Sequence, residues 1–488
     1  LTRPELEEFI LNAIIKTVGL PKSTKIDREE DLFSVGVDSM KAMRIRNVCQ
    51  NELFLAGKTL DQNAVLDYPS IEELADHILD LQAGASVVVE VNQHEAQMTA
   101  VVDKWMAKVG RRQKTTSGPK QHEDARVIVL TGATGSLGAH ILYQLVSSSN
   151  VRKVICLSRA KSHEESVQRI AESMKARKLP PPDNKLLSYA ANVNAPLLGL
   201  TETEYNVIRD EVTDNAWPVN FMLSLDSYDE HIGGAVNLIN LCLASPHAEP
   251  AAFFFSSSIS ARNGAPDLTC HEDFPPSTST AAATGYGRSK WVVEKICERA
   301  AENWSVPVAV FRIGQIVGDS LTGVWNETEA YPLMFKGANT FGAVPNLDEA
   351  CFFHPSWLPV DYAGQAIAEV VLSPVKSAAV YNIVNPNLSA SWQDILAALR
   401  MAGLKFEAVD RAQWLQRLAE SEPDGEKNPT IKLLPFFQMR YGTAYRRPMV
   451  FLTNKTAAIS PSIRNAPPIS PELVGKWVAN WRETGFLS

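Results

Sequence analysis

The sequence predicts an α/β protein in three parts. A small helical bundle covers residues 1–82, a connection covers 83–125, and a doubly wound parallel sheet with a smaller mixed C-terminal lobe fills 126–488. Three observations lead there. At 488 residues the chain is several times the size of an ordinary domain. Its first eighty or so residues carry a helical apolar period and no strand signal. From Arg126 onward, apolar β-branched runs alternate with helical patterns, the mark of βαβ units feeding one parallel sheet.

In the bundle, Leu6, Phe9, Ile10, Ala13, Ile14 and Val18 recur at helical spacing, so Glu5–Val18 is expected to be a helix. A loop broken by Pro21, Lys22 and Ser23 follows. Helical spacing returns through Met43, Ile45, Val48 and Cys49, and again through Ile71, Leu74, Ala75, Ile78 and Leu79, where Ser70 and Glu73 read as a capping box. The bundle is acidic: residues 1–82 hold 15 Asp and Glu against 9 Lys and Arg, a net of −6 out of −8 for the chain. The connection starts flexibly at Ala83-Gly84-Ala85-Ser86, has a short amphipathic stretch from Ala96 to Val109, and ends in a polar linker from Arg111 to Asp124.

Strands are expected at Arg126–Leu130, Val151–Leu157, Ala251–Phe255 and Val306–Arg312, with a further run at Leu186–Ala190. The smaller lobe is assigned to roughly 315–350 and 385–488, with helical patterns at Ser391–Met401, Arg411–Ser421 and Ser470–Trp481. Apolar residues make up 45% and charged residues 21%, the balance of a soluble, core-forming protein. No run of 18 apolar residues predicts a membrane span, and Leu1 to Glu8 has neither the basic nor the apolar region of a secretory signal. The missing initiator Met suggests a piece of a longer protein. The net negative charge argues against a nucleic-acid partner. Six scattered cysteines without a Cys-x-x-Cys pair predict buried free thiols, no metal site and a reducing, cytoplasmic setting.

Three motifs carry chemistry. The first is Asp31-Leu32-Phe33-Ser34-Val35-Gly36-Val37-Asp38-Ser39-Met40. By position alone Ser39 is a helix N-cap. With Phe33, Gly36, Asp38 and Ser39 in register inside an acidic helical unit, the segment resembles the phosphopantetheine carrier domains of peptide and polyketide synthases. Tyr68-Pro69-Ser70 resembles the opening of that family's last helix, with Tyr in place of Asn and Ser in place of Thr. The resemblance implies a 4′-phosphopantetheine arm on Ser39, installed by a phosphopantetheinyl transferase. The acidic surface suits a partner with a basic docking patch.

The second motif is Thr131-Gly132-Ala133-Thr134-Gly135-Ser136-Leu137-Gly138, between a strand and a helix. Glycines allow a tight turn and close approach to a pyrophosphate, and the helix N-terminus offers unpaired N–H groups, as in a Rossmann-type dinucleotide site. Gly132, Thr134, Gly135, Ser136, Leu137 and Gly138 are therefore cofactor candidates. The second strand ends in Ser158-Arg159-Ala160-Lys161 with no carboxylate for a ribose 2′-hydroxyl. A guanidinium suits a 2′-phosphate, so the cofactor is expected to be NADPH rather than NADH. Arg169 is a second candidate cation.

The third is Ser256-Ser257-Ser258 at a strand end followed by Tyr286-Gly287-Arg288-Ser289-Lys290. A spacing of four puts Tyr286 and Lys290 on one helix face. A nearby ammonium, with the nicotinamide ribose hydroxyl, is expected to lower the tyrosine pKa for proton transfer at neutral pH, and a serine hydroxyl to steady an oxyanion. The set resembles the extended short-chain dehydrogenases/reductases, which implies catalytic roles for Ser258, Tyr286 and Lys290, with Ser257 the alternative serine. Asn192 would then lie near the adenine, where that family usually has Asp.

Asn215-Ala216-Trp217-Pro218, His231-Ile232-Gly233-Gly234 and Trp357-Leu358-Pro359-Val360-Asp361-Tyr362 further resemble the thioester reductase domains of carboxylic acid reductases and fungal adenylation–carrier–reductase proteins. That resemblance implies an adenylation domain upstream and NADPH-dependent release of a carrier-bound acyl thioester as an aldehyde. The alternatives are a polyketide- or peptide-synthetase release domain, four-electron reduction to the alcohol, a nucleotide-sugar epimerase or dehydratase, and a non-catalytic cofactor sensor. Trp325, Tyr331, Phe335, Phe341 and Trp414 offer either an aromatic acyl pocket or plain core packing.

Overall fold

The computed structural model describes residues 2–487 except 22–23, 33–34, 38, 56–57, 59, 61–63, 84–86, 113–125, 183, 218–224, 226–227, 348–353, 375–376 and 443–447. Among the described residues four helices build the bundle: α1 (Arg3–Val18), α2 (Ser39–Glu52), α3 (Ala64–Asp67) and α4 (Ile71–Gln82). Leu6, Ile10 and Ile14 of α1 close a core with Ile45 and Cys49 of α2 and Leu74 and Ile78 of α4. The Ser70 hydroxyl accepts from the Glu73 N–H at 3.1 Å, as a cap should. The return half of the expected box differs: the Glu73 carboxylate takes the Ser70 hydroxyl proton.

Part of the connection is helical. Helix α5 (Val87–Met106) covers the amphipathic stretch expected from Ala96 as far as Met106, three residues short of its expected end, and begins earlier. Met98, Val102 and Val109 enter the core of the large domain. The Trp105 indole N–H donates to Asp229 at 2.8 Å, and Arg299 pairs with Asp103 at 2.6 Å. The physical reason is burial: the apolar stripe of α5 finds a complementary face. The polar linker from residue 113 to 124 lies outside the described residues.

Seven parallel strands form the sheet: β1 (Arg126–Thr131), β2 (Val151–Ser158), β3 (Leu186–Ala190), β4 (Asp214–Trp217), β5 (Ala252–Ser258), β6 (Val308–Ile313) and β7 (Ala379–Ile383). Their spatial order is β7-β6-β5-β4-β1-β2-β3. The order reverses between β1 and β4, where a doubly wound sheet opens a crevice at its carboxyl ends. The central strands are buried on both faces and read as continuous apolar runs. Val127, Val129, Phe253 and Phe255 point to the face covered by α5, α9 (Asp229–Ala244) and α10 (Gly285–Trp304). Ile128, Leu130 and Phe254 point to the face covered by α6 (Ser136–Ser147), α7 (His163–Ala176) and α12 (Val360–Val371).

The C-terminal lobe has its own core around Trp325, Phe335, Trp357, Trp392, Trp414, Trp477 and Trp481. The helices at Trp392–Met401, Arg411–Glu420 and Pro471–Glu483 fall where the periodicity places them, each capped by the preceding Ser391, Asp410 or Ser470. One stretch assigned to this lobe packs elsewhere. Ile463 and Ala466 join the sheet-face core with Ala363 and Ile367. The aromatic candidates are core rather than pocket surface: Trp325, Tyr331, Phe335 and Trp414 are all buried, and Phe341 is packed against them. Cys49, Cys156, Cys242, Cys270 and Cys297 are buried free thiols, while Cys351 lies outside the described residues. No helix among the described residues is long and apolar enough to cross a membrane.

Candidate active site

The glycine loop turns where its glycines require it. Gly132 takes φ +70°, the left-handed region. A Cβ on Gly138 would sit 2.0 Å from the Gly132 carbonyl oxygen, so the first turn of α6 packs on the loop only with glycine there. Gly135 is the N-cap and Ser136, Leu137 and Gly138 open α6, leaving their N–H groups at the crevice. The sequence reading missed the loop's support. The Ser173 hydroxyl on α7 donates to the Thr134 carbonyl at 2.9 Å, and Arg177 donates to the Ser173 oxygens at 2.7 and 2.8 Å.

Arg159 and Asn192 line one cleft of about 430 Å³ together with Asn194, Gly199 and Glu230. Among the described residues, two buried polar atoms in or beside this cleft have no hydrogen-bond partner: the Asn194 side-chain oxygen in the cleft and the Ser158 hydroxyl at the end of β2, next in the chain to Arg159. Such orphaned groups fit a site that a polar ligand completes. With the glycine cradle, they fit a dinucleotide. Arg169 donates to the Arg159 carbonyl and so braces this loop.

The catalytic candidates meet at the end of β5. Thr284 caps α10, accepting from the Gly287 N–H at 3.1 Å, and so fixes where the helix carrying Tyr286 begins. Tyr286 is hydrogen-bonded to the Ser258 hydroxyl, which also accepts from the Ser260 N–H at 3.2 Å. Burial holds the Tyr286 phenol well above its ordinary range, opposed by the Ser258 hydrogen bond. The Lys290 ammonium donates to the Ser256 carbonyl at 2.8 Å and lies 5.6 Å from the tyrosine ring centre. Burial draws Lys290 down to about 7, opposed by the Glu294 carboxylate.

Ser257 is engaged elsewhere, since its hydroxyl donates to Glu294 at 2.5 Å. Tyr228, which the motifs did not mark, is buried with its ring centre 6.3 Å from that of Tyr286. Ser39 is the first residue of α2, and its neighbours Phe33 and Asp38 lie outside the described residues. No cluster of three or more potential metal ligands occurs among the described residues.

Residues 130–367 match a family model described as male sterility protein, an NAD-binding domain, and residues 8–78 match one described as phosphopantetheine attachment site. A carboxylic acid reductase of Neurospora crassa is 29% identical over 485 residues, 94% of this chain and 45% of its own length. The adenylate-forming reductase Nps11 of Serpula lacrymans var. lacrymans is also 29% identical, over 95% of this chain and 46% of its own. The chain thus spans less than half the length of these relatives. A thiolation–reductase di-domain from an archaeal non-ribosomal peptide synthetase shares the fold with a TM-score of 0.67 at 16% identity, covering 99% of this chain and 98% of that one. The carrier bundle holds the phosphopantetheine-attachment match and the glycine cradle falls at the start of the NAD-binding match, in the order carrier then reductase of the di-domain whose fold the chain shares.

Proposed function

We propose that the chain reduces an acyl group, held as a thioester on a phosphopantetheine arm at Ser39, to an aldehyde at the expense of NADPH. One observation carries the reading: a carrier match shares the chain with an NAD-binding match that contains both the glycine cradle and the buried Ser258, Tyr286 and Lys290. NADPH, when bound, supplies hydride to the thioester carbonyl. The chain's own groups handle the oxygen and the proton. The Ser258 and Tyr286 hydroxyls donate to the carbonyl oxygen and stabilise the charge it gains. Because burial keeps the Tyr286 phenol protonated at neutral pH, it gives up its proton to that oxygen. Lys290 supports the tyrosine and holds the nicotinamide ribose. Collapse of the tetrahedral adduct releases thiol and aldehyde. Arg159 would receive the 2′-phosphate, with Arg169 bracing its loop, Gly132, Thr134, Gly135, Ser136, Leu137 and Gly138 would hold the pyrophosphate, and Asn192 would serve the adenine.

Tethering makes delivery intramolecular, so affinity for the free acyl group can be weak. An adenylation domain in the full-length protein loads the arm, and a phosphopantetheinyl transferase installs it. The reaction uses no nucleic acid and no membrane. The test is NADPH consumption with a panel of synthetic acyl-pantetheine thioesters, including aryl ones, with product analysis. Aldehyde is expected, with NADH a poor substitute; alcohol as the sole product would establish the four-electron course. No turnover with any member would overturn the proposal. Ser39→Ala should block the mass increment seen on loading with coenzyme A and a transferase.

A further inference from the structure

Glu294 is two turns beyond Tyr286 and one beyond Lys290 on α10, so all three share a face. It is fully buried and opposite the serine strand end. Three contacts along β5 line up with three residues of the helix. Ser258 meets Tyr286, the Ser256 carbonyl takes the Lys290 ammonium, and the Ser257 hydroxyl donates to Glu294. Behind the carboxylate, Arg312 on β6 donates through Nε and Nη2 at 3.0 and 2.6 Å, with both side chains fully buried. Arg312 is opposite Ser257 in the strand register, and it also donates to the His271 and Asp273 carbonyls. The carboxylate therefore joins helix, strand end and neighbouring strand at one point.

We infer that Glu294 is a positioning residue for the reductive site: it sets the register of the Ser256–Ser258 strand end against the face of α10 that carries Tyr286 and Lys290, and supplies the negative charge facing the Lys290 ammonium. The inference rests on the reading of Ser258, Tyr286 and Lys290 as the reductive site. Arg312 pairs with this anion directly, and Lys290 feels its charge from one turn away on the same helix face. An isolated buried ammonium strongly prefers to lose its proton. The groups that face Lys290 are Tyr286 and Glu294 on its own helix, the Ser256 carbonyl and Phe255 ring on β5, and, through Glu294, Arg312 on β6 with Cys270 beside it. Glu294 is the one fixed anion among these.

The test separates charge from reach. Glu294→Gln keeps the shape and removes the charge; Glu294→Asp keeps the charge on a stem one methylene shorter. Both are made in the full chain. The Lys290 titration is followed by NMR of Cε-labelled lysine, assigned with Lys290→Met, and needs no substrate. In Glu294→Gln the Lys290 midpoint should fall by about one unit. The high-pH limb of kcat should move down with it, because the ammonium is lost at lower pH. In Glu294→Asp the midpoint should stay near the wild-type value while kcat falls about tenfold and the KM for NADPH holds. An unmoved lysine midpoint in a folded Gln variant would overturn the inference. So would an Asp variant with wild-type kcat, and that measurement decides the matter if the Gln variant does not fold. Wild-type turnover of thioesters tests the functional reading separately, since the lysine titration can be read without it.

Discussion

Tyr286→Phe removes one oxygen from a site whose shape it leaves intact. The ring is 9% exposed and packs beside Tyr228, so the Phe ring keeps its contacts. The lost hydrogen bond is to the Ser258 hydroxyl, which still accepts from the Ser260 N–H. The stability change should therefore be about 1 kcal/mol, the net worth of one neutral hydrogen bond. The change in rate is much larger. A positioned general acid contributes about 10²- to 10⁴-fold, or about 3 to 5 kcal/mol of barrier. The assay is NADPH oxidation with an acyl-pantetheine thioester, paired with a thermal melt and an NADPH titration. The expected result is a turnover loss in that range, an unchanged NADPH affinity and a melt within a few degrees. Turnover above one tenth of wild type would refute the tyrosine's role. So would a loss that merely tracks failure to bind NADPH.

Three further outcomes follow from particular contacts. Ser258→Ala should cost about 10²-fold in kcat, as removal of an oxyanion donor does, while Ser257→Ala should cost less than tenfold because its hydroxyl serves Glu294; parallel steady-state assays decide between them. Burial pushes Glu329 up to about 7, opposed by the Trp325 indole N–H and by Arg177. With a folded pKa above the unfolded one, this group's stabilisation is complete below about pH 4.5 and is lost as pH rises through 7. Glu329→Gln should accordingly raise the melting midpoint at pH 8 and change it little at pH 5, measured by thermal denaturation. A Cβ on Gly233 would stand 2.4 Å from the Trp105 ring, so Gly233→Ala should destabilise the chain by about 1 to 3 kcal/mol. Adding Trp105→Leu should return part of that loss, and equal melts for the single and double variants would show that α5 does not dock there.

Local pattern determined much of this protein. The capped helices of the bundle, the alternation of strands and helices, the glycine loop after β1 and the Tyr286–Lys290 spacing were all legible. Each is written within a few residues, where the period of 3.6 or 2 and the cap chemistry act. Tertiary structure decided what depends on partners distant in the chain. It paired Ser257 with Glu294 and Ser258 with Tyr286, which three adjacent serines cannot reveal. It turned the aromatic candidates inward, because Trp325, Trp357, Trp392, Trp477 and Trp481 come together only when the lobe closes. It laid α5 on the large domain, since an amphipathic stripe in the sequence does not name the surface that will cover it. It buried the Tyr286 phenol, which raises it, and turned the Lys290 ammonium to the Ser256 carbonyl, because desolvation and backbone partners are properties of the packed interior.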